Sequence, residues 1–127
     1  MENTNSNATD KLIVLVSRGL DDERATVAWT IANGGIAEGL DVTVFLVSSG
    51  VDLVRRGAAD LVQTNPHDPP MKELIDGFMA KGGKVWACPP CAKIRGYSQD
   101  HLIPGVVVTG TAALHGLVKQ GAATMCF

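Results

Sequence analysis

The chain has 127 residues, of which 46% are apolar and 19% charged, and its formal net charge at neutral pH is -2. This length is typical of one compact domain, and the composition is that of a globular rather than a disordered chain. The small net charge and the 5% share of aromatic residues argue against a nucleic-acid-binding surface and against binding to an anionic membrane.

The ends of the chain and its cysteine content indicate where it functions. Residues 1–10 are polar and rich in Asn, without the basic start and apolar stretch of a signal peptide, and we interpret them as a disordered tail before a single domain at 11–127. The longest uncharged stretch, Leu102–Val118, is interrupted by Pro104 and three glycines and is too short to span a membrane. Three cysteines do not make a secreted disulfide framework, so we expect the reducing cytoplasm.

Short β-prone runs alternate with helical periodicity along the chain. The runs that predict strands are Leu12–Val16, Val42–Val47, Lys84–Ala87, Val106–Val108 and Ala122–Phe127. The helices predicted between them start at Asp21-Asp22, near Val51, at Asp68 as cap with Pro69 in the first turn, at Pro89-Pro90, and near Thr111. This alternation predicts an α/β fold, with a parallel sheet, right-handed crossovers and helices on both faces.

Reactive side chains follow the predicted strands at their carboxyl ends, which is where an open parallel sheet collects its ligands. The residues at these ends are Ser17, Ser48, Cys88, Thr109 and Cys126. The sequence therefore predicts that two of the three cysteines share one edge of the sheet.

Cys88 is the strongest nucleophile candidate. It ends a buried strand and precedes Pro89-Pro90, which suit the start of a helix. A thiolate at a helix start is stabilised by free N–H groups, which predicts a Cys88 pKa lowered from about 8.5 toward 7. Arg95 lies just downstream and adds positive potential, and Cys91 is close enough to form a disulfide with Cys88. The alternative is that both cysteines are small buried apolar side chains.

Other candidate sites are weaker. Cys126 stands alone in a terminal strand, where a core position is the more common role. The three histidines do not repeat at metal-ligand spacing, and a second ligand pair for a zinc site is missing, so we expect no metal. The stretch Val108–Thr111 lacks the Lys and the glycine spacing of a phosphate loop, so we expect no nucleotide or flavin cofactor.

Several segments together resemble the DsrE/DsrF family of small sulfur-relay proteins. They are Lys84–Cys88 with Arg95-Gly96 following, Asp22–Ala25, Val44–Leu46 with Gly50-Val51 and Leu53, and Leu102–Val106. The resemblance covers most of the chain. It implies a flavodoxin-like three-layer sandwich with a mostly parallel five-stranded sheet, assembly into homotrimers or homohexamers, and a persulfide on the cysteine after the third strand, which is Cys88 here.

These observations leave three functional hypotheses. The first is a sulfur carrier or sulfurtransferase that holds sulfane sulfur on Cys88, stabilised by Arg95, and exchanges it with donor and acceptor proteins or small thiols. Cys91 could then attack the persulfide, release sulfide and leave a disulfide. The second is a thiol-disulfide redox protein that uses Cys88 and Cys91. The third is a non-enzymatic oligomeric binding subunit in which Leu102–Val118 forms an interface.

Overall fold

The computed structural model describes residues 9–127, so most of the predicted tail at 1–10 lies outside the described residues. Five strands form the sheet: β1 (Lys11–Val16), β2 (Asp41–Leu46), β3 (Lys84–Ala87), β4 (Val107–Val108) and β5 (Ala123–Cys126). Four α-helices connect them: α1 (Glu23–Ala37), α2 (Met71–Ala80), α3 (Pro89–Ile94) and α4 (Thr111–Lys119). The predicted alternation of strands and helices is confirmed.

The sheet has the order β4-β3-β2-β1-β5, and every neighbouring pair is parallel. The strands β1 to β4 progress in one direction, so right-handed crossovers put α1, α2 and α3 on one face of the sheet. The connection from β4 to β5 runs back across the sheet, so the same rule puts α4 on the other face. All five strands therefore end at the same edge.

The main core lies between the sheet and α1 and α2. It contains alternate residues of β1 (Leu12, Val14 and Val16), as expected when one side of each strand faces the helices. Trp29 of α1 packs edge-to-face on Phe78 of α2, with ring centroids 5.5 Å apart. This packing holds α1 and α2 on the sheet and so stabilises the framework that carries the loops at the carboxyl edge.

The second face of the sheet is covered less completely. Ile13, Thr43 and Phe45 are buried there, but none of the α4 residues is buried, and Val107 and Val118 are about half exposed. On this second face, the helix that covers β1 and β2 has no buried residue of its own, whereas α1 and α2 on the first face both contribute buried residues to the core.

Two predicted helix starts differ from the structure. The segment expected to be helical from Val51 is a 3₁₀ helix at Ser48–Val54, which starts directly after β2. The prediction that Asp68 caps the next helix is wrong, because α2 begins at Met71 with Pro70 as its cap residue. The Asp68 main chain belongs to the preceding loop, where its N–H donates to the Asn65 carbonyl oxygen.

Two other predicted helix starts are confirmed. Asp22 caps α1 and accepts a hydrogen bond from the Arg24 N–H, and Pro89 and Pro90 open α3, both as predicted. Among residues 9–127, every helix is too short or too polar to cross a membrane.

Candidate functional site: a thiol pair at the carboxyl edge of the sheet

Cys88 lies directly after β3, at the carboxyl edge of the sheet. Its N–H donates to the Leu46 carbonyl oxygen of β2 at 3.0 Å, so the hydrogen-bond ladder continues one residue past the strand. Its own carbonyl oxygen accepts the Ala92 N–H at 3.0 Å, which is the first turn of α3. Cys88 is thereby fixed on both sides, by the sheet before it and by the helix after it.

Cys91 lies one helical turn further on and faces Cys88. The two Sγ atoms are 3.0 Å apart, both thiols are free, and both side chains are half-buried. At this Sγ–Sγ distance, a thiolate on one cysteine is close enough to attack a sulfane sulfur bound to the other. The pair can therefore share a proton, close a disulfide or exchange a sulfur atom.

A main-chain group at the start of the 3₁₀ helix after β2 reaches this pair. The Ser48 N–H donates to Cys91 Sγ at 3.2 Å, and Ser48 has a φ of 52°, in the left-handed region. Nearby, Gly50 lies so close to β1 that an added Cβ would be 2.3 Å from the Val16 carbonyl oxygen, which requires glycine there. The 3₁₀ helix thus packs against the end of β1, and the N–H of its first residue, Ser48, points at Cys91 Sγ.

The expectation of a lowered Cys88 pKa is wrong for the reduced pair. Burial raises the pKa of the Cys88 thiol, and the adjacent Cys91 side chain raises it further. The Cys91 main-chain N–H acts in the opposite direction and lowers the pKa, but its effect is smaller. Burial and the adjacent thiol therefore disfavour the Cys88 thiolate in the reduced pair.

A polar cluster holds α3 against the 3₁₀ helix. Tyr97 Oη donates to Asp52 Oδ1 at 2.5 Å, and Arg95 Nε lies 3.5 Å from the same oxygen. Arg95 Nη1 also donates to the Cys91 carbonyl oxygen at 3.1 Å. Burial raises the pKa of the Tyr97 hydroxyl, and its hydrogen bond to Asp52 raises it further. Arg95 thus lies at the site, where its nitrogens contact oxygen atoms and support the helix that carries Cys91.

The turn that brings Tyr97 to Asp52 depends on Gly96, which follows the end of α3 with a φ of 76°. The Tyr97 N–H then returns to the Ala92 carbonyl oxygen at 3.0 Å, a glycine-dependent helix termination. Sequence reasoning missed Asp52, Tyr97 and the Ser48 N–H. A signal for Asp52 was present, since it is an acid placed between Val51 and Leu53.

The remaining predicted residues lie at the same edge, and the hydrogen bonds of Ser17 and Thr109 go to main-chain oxygens rather than to the thiols. Ser17 Oγ donates to the Phe127 carbonyl oxygen at 2.8 Å, which ties β1 to the end of the chain. The Thr109 N–H donates to the Ala87 carbonyl oxygen at 3.1 Å, beside Cys88 in the chain. The expectation of a core position for Cys126 is wrong, because it is exposed at the end of β5, an edge strand whose residues are all exposed. Three strand spacings of about 4.8 Å put that strand about 14 Å from β3.

Within the part of the chain that the structure describes, His, Cys, Asp and Glu side chains form no group of three or more that could hold a metal ion. The cluster at Cys88 and Cys91 offers two sulfurs and no third ligand of these types. What the geometry offers is the chemistry of a dithiol.

Fold and site together define a small α/β protein with a parallel sheet and a thiol pair after its third strand. The chain belongs to the DsrE/DsrF-like family, whose family model matches residues 10–127. Membership of this family points to a function of the sulfur-relay type.

The chain is similar to an uncharacterised protein of Methanopyrus kandleri, with 35% identity over 112 residues that cover 87% of this chain and 85% of the relative. An uncharacterised protein of Methanocaldococcus jannaschii is 28% identical over 109 residues, which are 85% of this chain and 90% of the relative.

Solved structures share the fold. The ychN protein of E. coli superposes with a TM-score of 0.74 at 23% identity, covering 92% of this chain and 99% of that protein. A protein of unknown function from Methanobacterium thermoautotrophicum gives a TM-score of 0.69 at 18% identity, with 92% and 98% covered. The predicted fold class is confirmed, with one refinement, since the sheet is parallel throughout.

Proposed function

We propose that this protein is a sulfur carrier, with sulfurtransferase chemistry, that holds sulfane sulfur as a persulfide on Cys88 and passes it to an acceptor thiol. The observation that carries the proposal is the thiol pair itself: two half-buried, free sulfurs 3.0 Å apart at the carboxyl edge of the sheet. Family membership supports the same chemistry.

The proposed cycle has two sulfur transfers. The Cys88 thiolate attacks the outer sulfur of a donor persulfide, forms the Cys88 persulfide and expels the donor thiolate. An acceptor thiolate then attacks the outer sulfur, forms the acceptor persulfide and restores the Cys88 thiolate. The partners are donor and acceptor proteins or small thiols, and the working compartment is the reducing cytoplasm, where free thiols persist.

Intact mass spectrometry tests the acquisition step. The reduced protein is incubated with a small-molecule sulfane-sulfur donor, alongside the variants Cys88→Ala and Cys91→Ala. We expect wild type to gain one sulfur atom that dithiothreitol removes, and Cys88→Ala to gain none. Sulfur uptake by Cys88→Ala equal to that of wild type would contradict the assignment.

The short distance between the sulfurs also favours a second candidate, a thiol-disulfide redox protein that uses Cys88 and Cys91. In the same experiment, this function predicts that wild type loses two hydrogens and that Cys91→Ala, which cannot close the disulfide, gains no sulfur either. A Cys88–Cys91 reduction potential near the cytosolic thiol poise would fit a working redox pair.

We further propose that the chain assembles into homotrimers or homohexamers. The supporting observation is the half-exposed apolar side chains of Val107 and Val118 on β4 and α4. This assembly is also the basis of the third hypothesis, a binding subunit whose thiols are incidental. Sedimentation equilibrium of wild type and of protein with all cysteines alkylated would separate assembly from thiol chemistry.

A further inference from the structure

The two cysteines of the site are held by different parts of the fold. Cys88 belongs to the sheet, since its N–H donates to the Leu46 carbonyl oxygen at 3.0 Å. Cys91 lies inside α3, which has six residues and begins with two prolines. A helix this short is not stable by itself, so its contacts with the rest of the protein decide where Cys91 lies relative to Cys88.

Asp52 provides the firmest of these contacts. It lies in the 3₁₀ helix between Val51 and Leu53, whose side chains are fully buried in the core. Its Oδ1 accepts a hydrogen bond from Tyr97 Oη at 2.5 Å and lies 3.5 Å from Arg95 Nε. The side chains of Asp52 and Arg95 are 29% and 26% exposed, so water screens their attraction only in part.

Arg95 carries this constraint to Cys91. The Arg95 N–H donates to the Ala92 carbonyl oxygen at 3.1 Å, and Arg95 Nη1 donates to the Cys91 carbonyl oxygen at 3.1 Å. In a regular helix, the Cys91 carbonyl would accept the Arg95 N–H, so the guanidinium takes the place of that donor. The carboxylate of Asp52 thus holds, through one side chain, the main chain of the residue whose Sγ lies 3.0 Å from Cys88 Sγ.

We propose that Asp52 is a positioning residue that holds Cys91 in place to attack a sulfur atom bound to Cys88. It acts through Arg95 and Tyr97, which tie the two ends of the last turn of α3 to the 3₁₀ helix. The proposal rests on the carrier function proposed above. Delivery to an acceptor and attack by Cys91 compete for a persulfide on Cys88, and Asp52 thereby sets how long that persulfide waits for its acceptor.

The attack on the persulfide is balanced as follows. Cys91, after losing its proton to water, forms a bond to the inner sulfur, which is Cys88 Sγ. The bond between the inner and outer sulfurs breaks, and the outer sulfur leaves as hydrosulfide. The sulfane sulfur is reduced, the two cysteines are oxidised to a disulfide, and a cellular thiol reopens that disulfide.

The same attack can be measured without a sulfur donor, by using glutathione disulfide as the oxidant. The Cys88 thiolate attacks glutathione disulfide, forms a mixed disulfide and expels one glutathione thiolate. Cys91 then attacks Cys88 Sγ and expels the second, so two thiols and one glutathione disulfide become one protein disulfide and two glutathiones. The equilibrium constant measures how favourably the fold places the two sulfurs for bond formation.

The experiment equilibrates wild type, Asp52→Ala and Asp52→Asn in glutathione buffers of known ratio. The samples are quenched by alkylation, and the disulfide fraction is read by mass spectrometry. Asp76→Ala is the matched control, since it removes an exposed carboxylate that pairs with Lys72 on α2. Phe78→Leu is a second control, which weakens the core between α1 and α2, and circular dichroism establishes that each variant is folded.

We expect Asp52→Ala to lower the equilibrium constant for disulfide closure about tenfold, the factor expected when one hydrogen bond no longer favours the closed arrangement, which makes the reduction potential about 30 mV less negative. Asp52→Asn keeps an oxygen acceptor for Tyr97 Oη and should show a smaller shift. Asp76→Ala and Phe78→Leu should match wild type.

An unchanged or larger constant in Asp52→Ala would overturn the proposal, and so would an equal shift in Phe78→Leu, which would reveal a general effect of lost stability. If Asp52→Ala does not fold, Tyr97→Phe decides, with an expected loss of about threefold because Arg95 keeps its contact, and no loss would again overturn the proposal. Because no sulfur donor is used, failure of the carrier function would appear separately, as a lack of sulfur gain.

Discussion

The contact between Asp52 and Tyr97 is expected to stabilise the junction that holds the thiol site, and a double-mutant cycle can measure it. Asp52→Ala removes the acceptor, and Tyr97→Phe removes the hydroxyl that donates to it at 2.5 Å. A hydrogen bond to a charged group contributes about 1.5–3 kcal/mol, and this carboxylate is partly exposed, so we expect a coupling energy of about 1.5 kcal/mol.

The assay is urea denaturation of wild type, both single variants and the double variant, followed by circular dichroism. The exposed pair Lys72 and Asp76 on α2 is the matched control, since both side chains are more than half exposed, at 54% and 56%. Its coupling should be clearly smaller. Additive effects of Asp52→Ala and Tyr97→Phe, within about 0.5 kcal/mol, would refute the reasoning.

Three further predictions concern other groups. Gly50→Ala places its Cβ 2.3 Å from a carbonyl oxygen and should destabilise by about 2–3 kcal/mol, whereas Gly34→Ala meets no atom within 4 Å in α1 and should stabilise slightly; urea denaturation compares them. The Tyr97 pKa is raised, so its contribution to stability is complete below about pH 10 and is lost above its folded pKa; wild type should lose stability there relative to Tyr97→Phe, and parallel curves would contradict this. The Asp22 pKa is lowered to about 2 by Arg24, so its contribution holds above about pH 4 and is lost as the pH falls toward 2; NMR titration should show this midpoint rising in Arg24→Ala, and an unchanged midpoint would count against the assignment.

Much of the fold could be predicted because the signals were local. The first buried strand contains the continuous apolar run Leu12–Val16, and Asp22 and Pro89 mark helix starts by their side-chain chemistry. The start of α2 could not be predicted in this way. The Met71 N–H donates to the Val62 carbonyl oxygen, so a contact across the loop decides where the helix begins, and Asp68 remains outside it.

The position of Cys88 at a strand end could be predicted from the sequence, but the direction in which its pKa is shifted could not. The direction of the Cys88 pKa depends on burial and on a neighbour 3.0 Å away, and spacing along the chain gives neither. The sequence also gave no sign of the left-handed Ser48, because serine is not a residue that favours this region. The separation of Cys126 from the thiol pair follows from the pairing of β5 with β1, which is a property of the strand order.

The central claim is that Cys88 both accepts and delivers sulfane sulfur. The most direct measurement loads the protein with isotopically labelled sulfur, removes the donor by gel filtration, and follows the label after a small acceptor thiol is added. We expect the label to leave Cys88 and to appear as the persulfide of the acceptor, with Cys91→Ala retaining this transfer and Cys88→Ala carrying no label to deliver. Label that stays on the protein, or that leaves as sulfide alone in both wild type and Cys91→Ala, would contradict the account.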